Sequence, residues 1–549
     1  MICYLKSLGH SLTKGRLLWP SVIGILLTNV LAWIAFTPWN VAEAAYCFAL
    51  PLLFCLLRCQ TLKSALAISS ISSFLFWFFT LFWLRHVTWG GLILLACYLS
   101  LFSIIWWLAA WWSLPRLLTT KSGKRLLGLL GLAALWALLE YSRGVLFTGF
   151  PWLPLAASQA FRPTALQSIA FTGYYGLSFV LIFFNLGLFS ALYNWKDFNR
   201  EKRVIWWPKQ ELAVAIGFIL LNFSLVFTVP YFEKDSEELF TAGIVQPYIP
   251  QNLKWSPDAA ERNLAILMEE TSKAHSLGVD VVLWPESATP YPLWRNGKIR
   301  NWVAEYVRST QLPLLMGNMA VEGQDWYNVI GAIDGKGQDL EFKPYYAKRR
   351  LVPFGEYVPG KRWFPFIDQW VPIGEFTPGN DPKGILINIR GKEYKVGGLV
   401  CYEDIFPQLA RSTARAGIDL FFVATNNAWY GEEAGAYQHA AHSILRAVET
   451  RRTVLRCGNG GWSGWIDPYG RVRSVVTDSK HPEKDIYFRG TQAISIKSNS
   501  FWKERQSFYV LKGDWFPLAC LALLLLSVMV LVLDCSKAKK RRKGLDTEC

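Results

Sequence analysis

Three side chains in this chain have the chemistry for acyl transfer, and each stands where an apolar run gives way to polar sequence. Cys401 ends the run Gly397-Gly398-Leu399-Val400 and is followed by Tyr402-Glu403-Asp404. A thiol at the C-terminal edge of a strand sits where open α/β sheets keep their reactive groups, and a thiolate is a strong nucleophile. Glu286 ends Val281-Val282-Leu283-Trp284-Pro285, with Pro285 withholding the N–H that would extend a ladder. Lys348 opens Lys348-Arg349-Arg350-Leu351-Val352-Pro353-Phe354-Gly355-Glu356-Tyr357-Val358-Pro359. Singly, each has a bland reading: an inert core thiol, a solvated strand end, a charge on a wet loop. Together they supply a nucleophile, a base and a cation for a developing oxyanion, the parts that acyl transfer needs.

The elements around them alternate. Ala259 to Ser276 reads as an amphipathic helix, Val279 to Trp284 as a strand, Asn301 to Ser309 as a helix and Leu312 to Met316 as a strand. Asn328 to Ile333 and Asp339 to Phe342 flank Asp334-Gly335-Lys336-Gly337, a hairpin signal. Ile385 to Ile389 pairs with Lys395 to Val400 across Arg390-Gly391-Lys392. Helix Pro407 to Ala416, strand Ile418 to Thr425, helix Tyr437 to Thr450 and strand Thr453 to Arg456 follow. Such alternation with hairpins predicts an α/β layered fold for residues 231–514.

The rest of the chain belongs to a bilayer. Hydrophobic residues make up 52% of it, above the roughly 45–50% of soluble chains, and they cluster. Spans are expected at 17–36, 43–58, 65–84, 89–113, 126–142, 171–194, 212–230 and 515–534, the 43–58 run being short for the roughly 20 residues a membrane helix needs. The first follows Lys6, Lys14 and Arg16 with no clear cleavage site, and reads as a retained signal-anchor. Basic residues crowd alternate loops: Arg58 and Lys63; Arg116, Lys121, Lys124 and Arg125; Lys196, Arg200, Lys202, Arg203 and Lys209. The positive-inside rule then puts both termini in the cytoplasm and residues 231–514 outside it. The expected organisation is a seven-helix transmembrane part over 1–230, an extracytoplasmic part over 231–514, a last span at 515–534 and a basic cytoplasmic tail at 535–549. The net charge of +16 follows from this bias and gives no reason to expect a nucleic-acid partner.

Of ten cysteines, eight lie near spans or termini, which is no disulfide framework. A bridge between Cys401 and Cys457 would end the enzyme reading, and it needs specifically oriented Cβ atoms. No zinc spacing occurs; His439 and His442 are three apart on a helix and read as packing residues. No metal and no cofactor is expected.

A glutamate, a lysine and a cysteine in this chain order resemble the nitrilase superfamily. The resemblance narrows to the apolipoprotein N-acyltransferases through Val245-Gln246-Pro247, Asn252-Leu253-Lys254-Trp255, Trp284-Pro285-Glu286, the Lys348 to Pro359 run, Pro372-Ile373-Gly374-Glu375-Phe376-Thr377-Pro378-Gly379, Asn426-Asn427-Ala428-Trp429-Tyr430-Gly431, Gln438-His439 and Arg446-Ala447-Val448-Glu449. Thr148-Gly149-Phe150-Pro151-Trp152-Leu153 carries it into the membrane part, and Gly513-Asp514-Trp515 ends it. It implies an αββα nitrilase sandwich joined to a polytopic helical membrane domain, in a bacterial inner membrane with the sandwich in the periplasm. It also implies a catalytic triad of Glu286, Lys348 and Cys401, with Glu356 in support and Trp255, Tyr402 and Glu403 binding substrate or flanking the nucleophile. The implied reaction moves an acyl chain from a membrane glycerophospholipid through a Cys401 thioester to the α-amine of a diacylglyceryl-cysteine at an apolipoprotein N-terminus.

Some residues depart from that pattern. Asn427 stands for the usual Asp, Tyr430 for Phe, Gly460-Gly461-Trp462 for a Thr-Gly-Ile type run, and Ser507-Phe508-Tyr509 for Thr-Pro-Tyr. Aromatic segments such as Trp363-Phe364-Pro365-Phe366 and Phe376 are expected either to contact lipid as lids or to pack. Two other functions stay open on sequence. A membrane-tethered amidase or nitrilase would pass the thioester to water. A silent scaffold or transporter is disfavoured by the intact triad and by spans nearly free of charge.

Overall fold

The computed structural model describes residues 18–201, 210–228, 236–334, 345–361 and 375–545. The expected strand Asp339 to Phe342, the Trp363-Phe364-Pro365-Phe366 segment, Pro372-Ile373-Gly374, and the basic residues Lys6, Lys14, Arg16, Lys202, Arg203 and Lys209 lie outside them.

Apolar helices fill the first part: α1 (Leu18–Ala35), α2 (Leu50–Leu56), α3 (Leu62–Thr80), α4 (Trp89–Leu117), α5 (Ser122–Val145), α6 (Tyr174–Glu201) and α7 (Gln210–Ser224). Six described segments are long and apolar enough to cross a membrane: Leu62–Thr80, Trp89–Leu117, Ser122–Val145, Tyr174–Tyr193, Gln210–Thr228 and Ser500–Leu533. The Trp19–Ala35 and Ala42–Leu56 stretches are apolar but shorter. The 43–58 run is not the continuous helix expected of a span. It is a 3-10 turn, Ala42–Tyr46, then α2, with Pro51 in the first turn of α2. Proline is tolerated there because its missing N–H would be unpaired anyway, but it cannot stand inside a helix continued from before. Thr28 Oγ1 in α1 accepts the Leu52 N–H at 3.0 Å and docks the short helix on the long one.

Residues 236–499 build two six-stranded sheets. The first runs β12-β1-β2-β3-β4-β5, from β1 (Ser236–Gln246), β2 (Val281–Trp284), β3 (Leu314–Glu322), β4 (Asp325–Ile333), β5 (Tyr346–Ala347) and β12 (Gly490–Asn499). The second runs β11-β10-β9-β8-β7-β6, from β6 (Ile385–Ile389), β7 (Lys392–Val400), β8 (Leu420–Asn426), β9 (Thr453–Asn459), β10 (Gly464–Ile466) and β11 (Val472–Val475). The pairs β1–β2, β2–β3, β7–β8 and β8–β9 are parallel. Strands buried on both faces read as unbroken apolar runs, which is how β2 and β8 looked in the sequence.

The sheets face each other through Ile244, Leu283 and Leu315 on one side and Val400, Phe422 and Leu455 on the other. Val282, Trp284 and Met316 pack outward on α8 (Ala260–Ser276) and α9 (Gly297–Thr310). Leu399, Phe421 and Val423 pack outward with α10 (Pro407–Arg415) and α11 (Gly435–Thr450), in a core continuous with the membrane helices. The layers are therefore helix, sheet, sheet, helix, the nitrilase-like αββα sandwich. A last helix, α12 (Trp515–Leu545), returns to pack on α5.

Asn328 to Ile333 lies within β4, which pairs antiparallel with the preceding β3, turning where Gly323 has φ +60°, and antiparallel with β5 on its other side. The Ile389-to-Lys392 hairpin forms as expected, with Arg390 at φ +54° and Gly391 at φ +79°, the left-handed pair that a two-residue loop needs to match strand twist.

Candidate active site

Cys401 follows β7 directly and opens a 3-10 turn, Cys401–Ile405, with its own φ at +49°. A non-glycine residue pays about 1–3 kcal/mol for such a conformation, so the surroundings must impose it. The Val400 N–H donates to Glu403 Oε2 at 2.8 Å, closing the turn from inside. The Cys401 carbonyl accepts from His439 Nε2 at 3.1 Å, and Nε2 also meets Asp404 Oδ1 at 2.7 Å. The Asn427 side-chain amide lies 2.9 Å from His439 Nδ1. Burial pulls the imidazole below its ordinary range, against the attraction of Asp404. Arg456 and Ser443 cover the other Asp404 oxygen. The Asn427 departure thus places an amide against the imidazole that bonds to the Cys401 carbonyl.

The thiol is buried, and Thr425 Oγ1 stands 3.3 Å from Sγ. Burial first, then the Glu286 charge, pushes it up to about 12. Lys348, the Asn426 N–H and the Thr425 hydroxyl offset only part of this. Cys401 and Cys457 are both free thiols, so no bridge joins them. Cys457 lies between the sheets, fully buried, its Sγ 3.3 Å from the Val245 carbonyl.

Glu286, Lys348 and Glu356 converge beside that thiol. Lys348 Nζ is 2.8 Å from Glu356 Oε1 and 3.5 Å from Glu286 Oε1. Asn328 Nδ2 donates to both carboxylates, at 2.8 Å to Glu286 and 3.0 Å to Glu356. Glu356 Oε2 accepts the Val352 N–H at 2.8 Å, which fixes the loop carrying it. Burial works against the Lys348 charge, but Glu356 and Glu286 outweigh it and hold the ammonium well above its ordinary range. Lys348 therefore carries a permanent positive charge. Glu286 reaches this position because Gly317 of β3 lies against it; a Cβ there would come within 2.7 Å of the Glu286 Cα.

Two of the expected substrate contacts are engaged within the protein. Glu403 is fully buried with both oxygens taken by the protein: Oε2 accepts from Val400 N and the Tyr346 hydroxyl, and Oε1 from the Arg349 and Arg350 N–H groups. It ties the Lys348 segment to the nucleophile turn, and it presents no free acceptor. The Tyr402 hydroxyl donates to the Gly149 carbonyl at 3.1 Å, and its ring lies on Phe406. It is a strut to the membrane part. Trp255, by contrast, is half exposed and free to meet a ligand.

In the sequence Asn328 and Thr425 read only as strand ends, and Lys254 only as part of a motif. Lys254 is buried, and its Nζ donates to the Glu286 carbonyl at 2.9 Å. Burial pulls its ammonium down to about 8, against the attraction of Glu286 and Cys401. Its adjacency to Trp255 in a motif was the only available signal. Toward the membrane, the Tyr430 ring meets that of Trp83 at 4.2 Å, tilted by 50°, and the Trp83 and Trp152 indoles both donate to Gln438 Oε1 at 3.0 Å.

The arrangement can accept a proton at a carboxylate, stabilise an oxyanion with a fixed cation, and attack with sulfur. Residues 28–187 match the family model for the apolipoprotein N-acyltransferase N-terminal domain, and residues 241–481 match that for carbon-nitrogen hydrolase. An apolipoprotein N-acyltransferase of Geobacter metallireducens is 29% identical over 516 residues, covering 90% of this chain and 92% of that one. Those of Nitrosomonas europaea and Azotobacter vinelandii are each 31% identical, covering 70% of this chain and 71% of theirs. Since the similarity runs through the membrane helices as well as the sandwich, the chain belongs to the apolipoprotein N-acyltransferase family.

Proposed function

We propose that this protein moves an acyl chain from a membrane glycerophospholipid to the α-amino group of a diacylglyceryl-cysteine at an apolipoprotein N-terminus. The observation carrying this reading is the buried Glu286–Lys348–Glu356 cluster beside a thiol on a strained turn. Because burial keeps the thiol protonated, proton removal accompanies attack. Glu286 takes the proton as Cys401 Sγ bonds to the ester carbonyl carbon. Lys348 faces the resulting oxyanion, where one positioned donor is worth about 3–4 kcal/mol. Collapse breaks the ester C–O bond; the leaving lysophospholipid oxygen takes the proton from Glu286, and the thioester remains. The acceptor amine then attacks the thioester, Glu286 takes its proton, and the proton passes to the departing thiolate. The product is an amide and a free Cys401. Glu356 holds Lys348 in place, and Trp255 meets substrate at the rim.

The topology that fits is an inner-membrane protein with both termini in the cytoplasm and residues 231–514 in the periplasm, where exported lipoproteins are met. The test is mass spectrometry of a diacylated lipoprotein N-terminal peptide incubated with labelled phospholipid and the purified protein. The expected result is a labelled amide, absent with Cys401→Ala. Labelled free fatty acid with an unmodified peptide would replace the reading by that of a hydrolase.

A further inference from the structure

Inside the membrane bundle, away from Cys401, lies a partly open cavity of about 70 Å³ between α1, α3, α4 and α5. Its walls are mostly apolar, among them Phe76, Phe102 and Trp107, but Arg143 stands in it. The guanidinium is only 4% exposed, and its Nε and Nη2 have no hydrogen-bond partner. Its face is covered by the Trp77 ring, 4.8 Å from Cζ. Glu140, one turn back, forms no ion pair with it; Glu140 Oε1 is taken by the Trp136 indole and the Leu155 N–H. Asn29 Oδ1 and Ser73 Oγ, also lining the cavity, are buried without partners.

A cation left with unused donors in a bilayer-embedded bundle is costly, and such groups mark binding sites or pathways. Guanidinium donors match phosphate oxygens in pairs. Apolar walls beside them suit glyceryl and methylene groups. The place fits too: Arg143 lies two residues before the end of α5, and the chain runs on to Gly149 and Trp152, which bond to Tyr402 and Gln438 of the sandwich. That end of the helix is therefore the end joined to the catalytic part.

We propose that this cavity binds the phosphate of a glycerophospholipid through Arg143. That the bound lipid serves as acyl donor rests on the transfer reading above; the binding itself does not. The probe is the purified full chain in detergent, given phosphatidylglycerol or phosphatidylethanolamine, with native mass spectrometry reading retained lipid and a single-turnover assay reading thioester formation. Arg143→Met is expected to lose retained lipid and to raise the lipid concentration at half-maximal rate about tenfold or more, the loss of one or two charge-assisted bonds, with the maximal rate held. Arg143→Lys should recover part of the affinity. Ser73→Leu, which fills the cavity while leaving Arg143 and Glu140 in place, should weaken retention in the same direction, so the result does not depend on Arg143→Met folding well. Retention and half-saturation unchanged in both Arg143→Met and Ser73→Leu would overturn the site. Competition by millimolar inorganic phosphate as effective as that by lipid would overturn the lipid assignment. Arg143-dependent retention with no thioester in the unmodified protein would leave the site standing and remove the transfer reading instead.

Discussion

Replacing Glu403 by Gln separates a positioning carboxylate from a substrate contact. The carboxylate accepts four hydrogen bonds, two on each oxygen, and is fully buried. Glutamine keeps one carbonyl oxygen and turns the other position into a donor. The less costly orientation aims its amide nitrogen at Tyr346 and Val400, because the tyrosine hydroxyl can rotate to accept while the Val400 N–H cannot. That orphaned N–H costs about 1–3 kcal/mol. The bonds from Arg349 and Arg350 fall from charge-assisted to neutral strength, about 1 kcal/mol each. Burying an amide rather than a charge offsets part of this, so the net loss is about 2–4 kcal/mol. Burial first, opposed by its donors, holds the Glu403 carboxyl above its ordinary range, which is why the offset is not negligible.

For a unit of this size such a loss lowers the melting midpoint by about 4–15 °C. Because Glu403 joins the Lys348 segment to the Cys401 turn, thioester formation should slow more than tenfold in maximal rate, a barrier change of about 1.4 kcal/mol or more, while half-saturation by phospholipid stays put. Differential scanning fluorimetry in detergent and single-turnover labelling read the two quantities. An unchanged midpoint together with a raised half-saturation concentration would refute this reasoning and return Glu403 to the substrate.

Further outcomes follow from the same geometry. Cys401→Ala should abolish thioester formation with the fold intact, whereas Cys457→Ala should keep most of the rate; equal losses would contradict a single nucleophile. Glu286→Gln and Lys348→Met should each prevent the thioester, through loss of the base and of the oxyanion cation, and undiminished labelling in either would remove that residue from the first step. With the Cys401 thiol pushed up to about 12, it is protonated below that pH, so its alkylation by iodoacetamide should keep rising about tenfold per pH unit past pH 10. A plateau by pH 9, read on the Cys401 peptide by mass spectrometry, would show that the thiol is not held neutral. Alkaline phosphatase fused near residue 300 should be active and a reporter after Lys543 cytoplasmic; cytoplasmic labelling of a cysteine engineered near residue 300 would overturn the orientation. The break in the 43–58 run is where the span count is most exposed to that result.

Legibility in the sequence followed from how local each signal was. β2, β7 and β8 are buried apolar runs with a chemical residue at or just beyond the end, so Glu286 and Cys401 stood out before any contact was known. β11 and β12 are partly exposed strands at sheet edges, and only Ile494 to Lys497 of β12 alternates cleanly. The β3–β4 hairpin at Gly323 went unread because the glycines after Asp334 drew the turn assignment to the other end of β4. The 43–58 run failed for a covalent reason: hydropathy is blind to Pro51 ending one helical piece and starting another. Asn328, Lys254 and Glu403 were hidden differently. Their partners are Glu286, 42 and 32 residues away, and Arg349, 54 residues away, and no spacing rule reports such pairs. Burial also decided what motif order could not, since an acid next to a nucleophile reads as chemistry until its oxygens are found occupied.

The shared core between bundle and sandwich has a physical reason under the proposed reaction. Drawing a long acyl chain into water costs about 0.8 kcal/mol per methylene, on the order of 10 kcal/mol for a chain of a dozen or more. A sandwich tethered by a flexible linker would bear that cost before each turnover. Here the second sheet, its helices α10 and α11 and the membrane helices share one continuous hydrophobic core that includes Leu399, Phe421 and Ile444. Tyr402 is bonded to Gly149, and Trp83 and Trp152 are clamped on Gln438. The residue after the nucleophile is thus fixed to the loop that ends α5, two residues beyond Arg143. With the reacting sulfur and the cavity cation joined through one packed core, the proposed reaction can present the lipid ester without its leaving the bilayer. The polar groups buried at that junction follow from the same demand, because only hydrogen bonds and ring contacts can fix two apolar surfaces in one register.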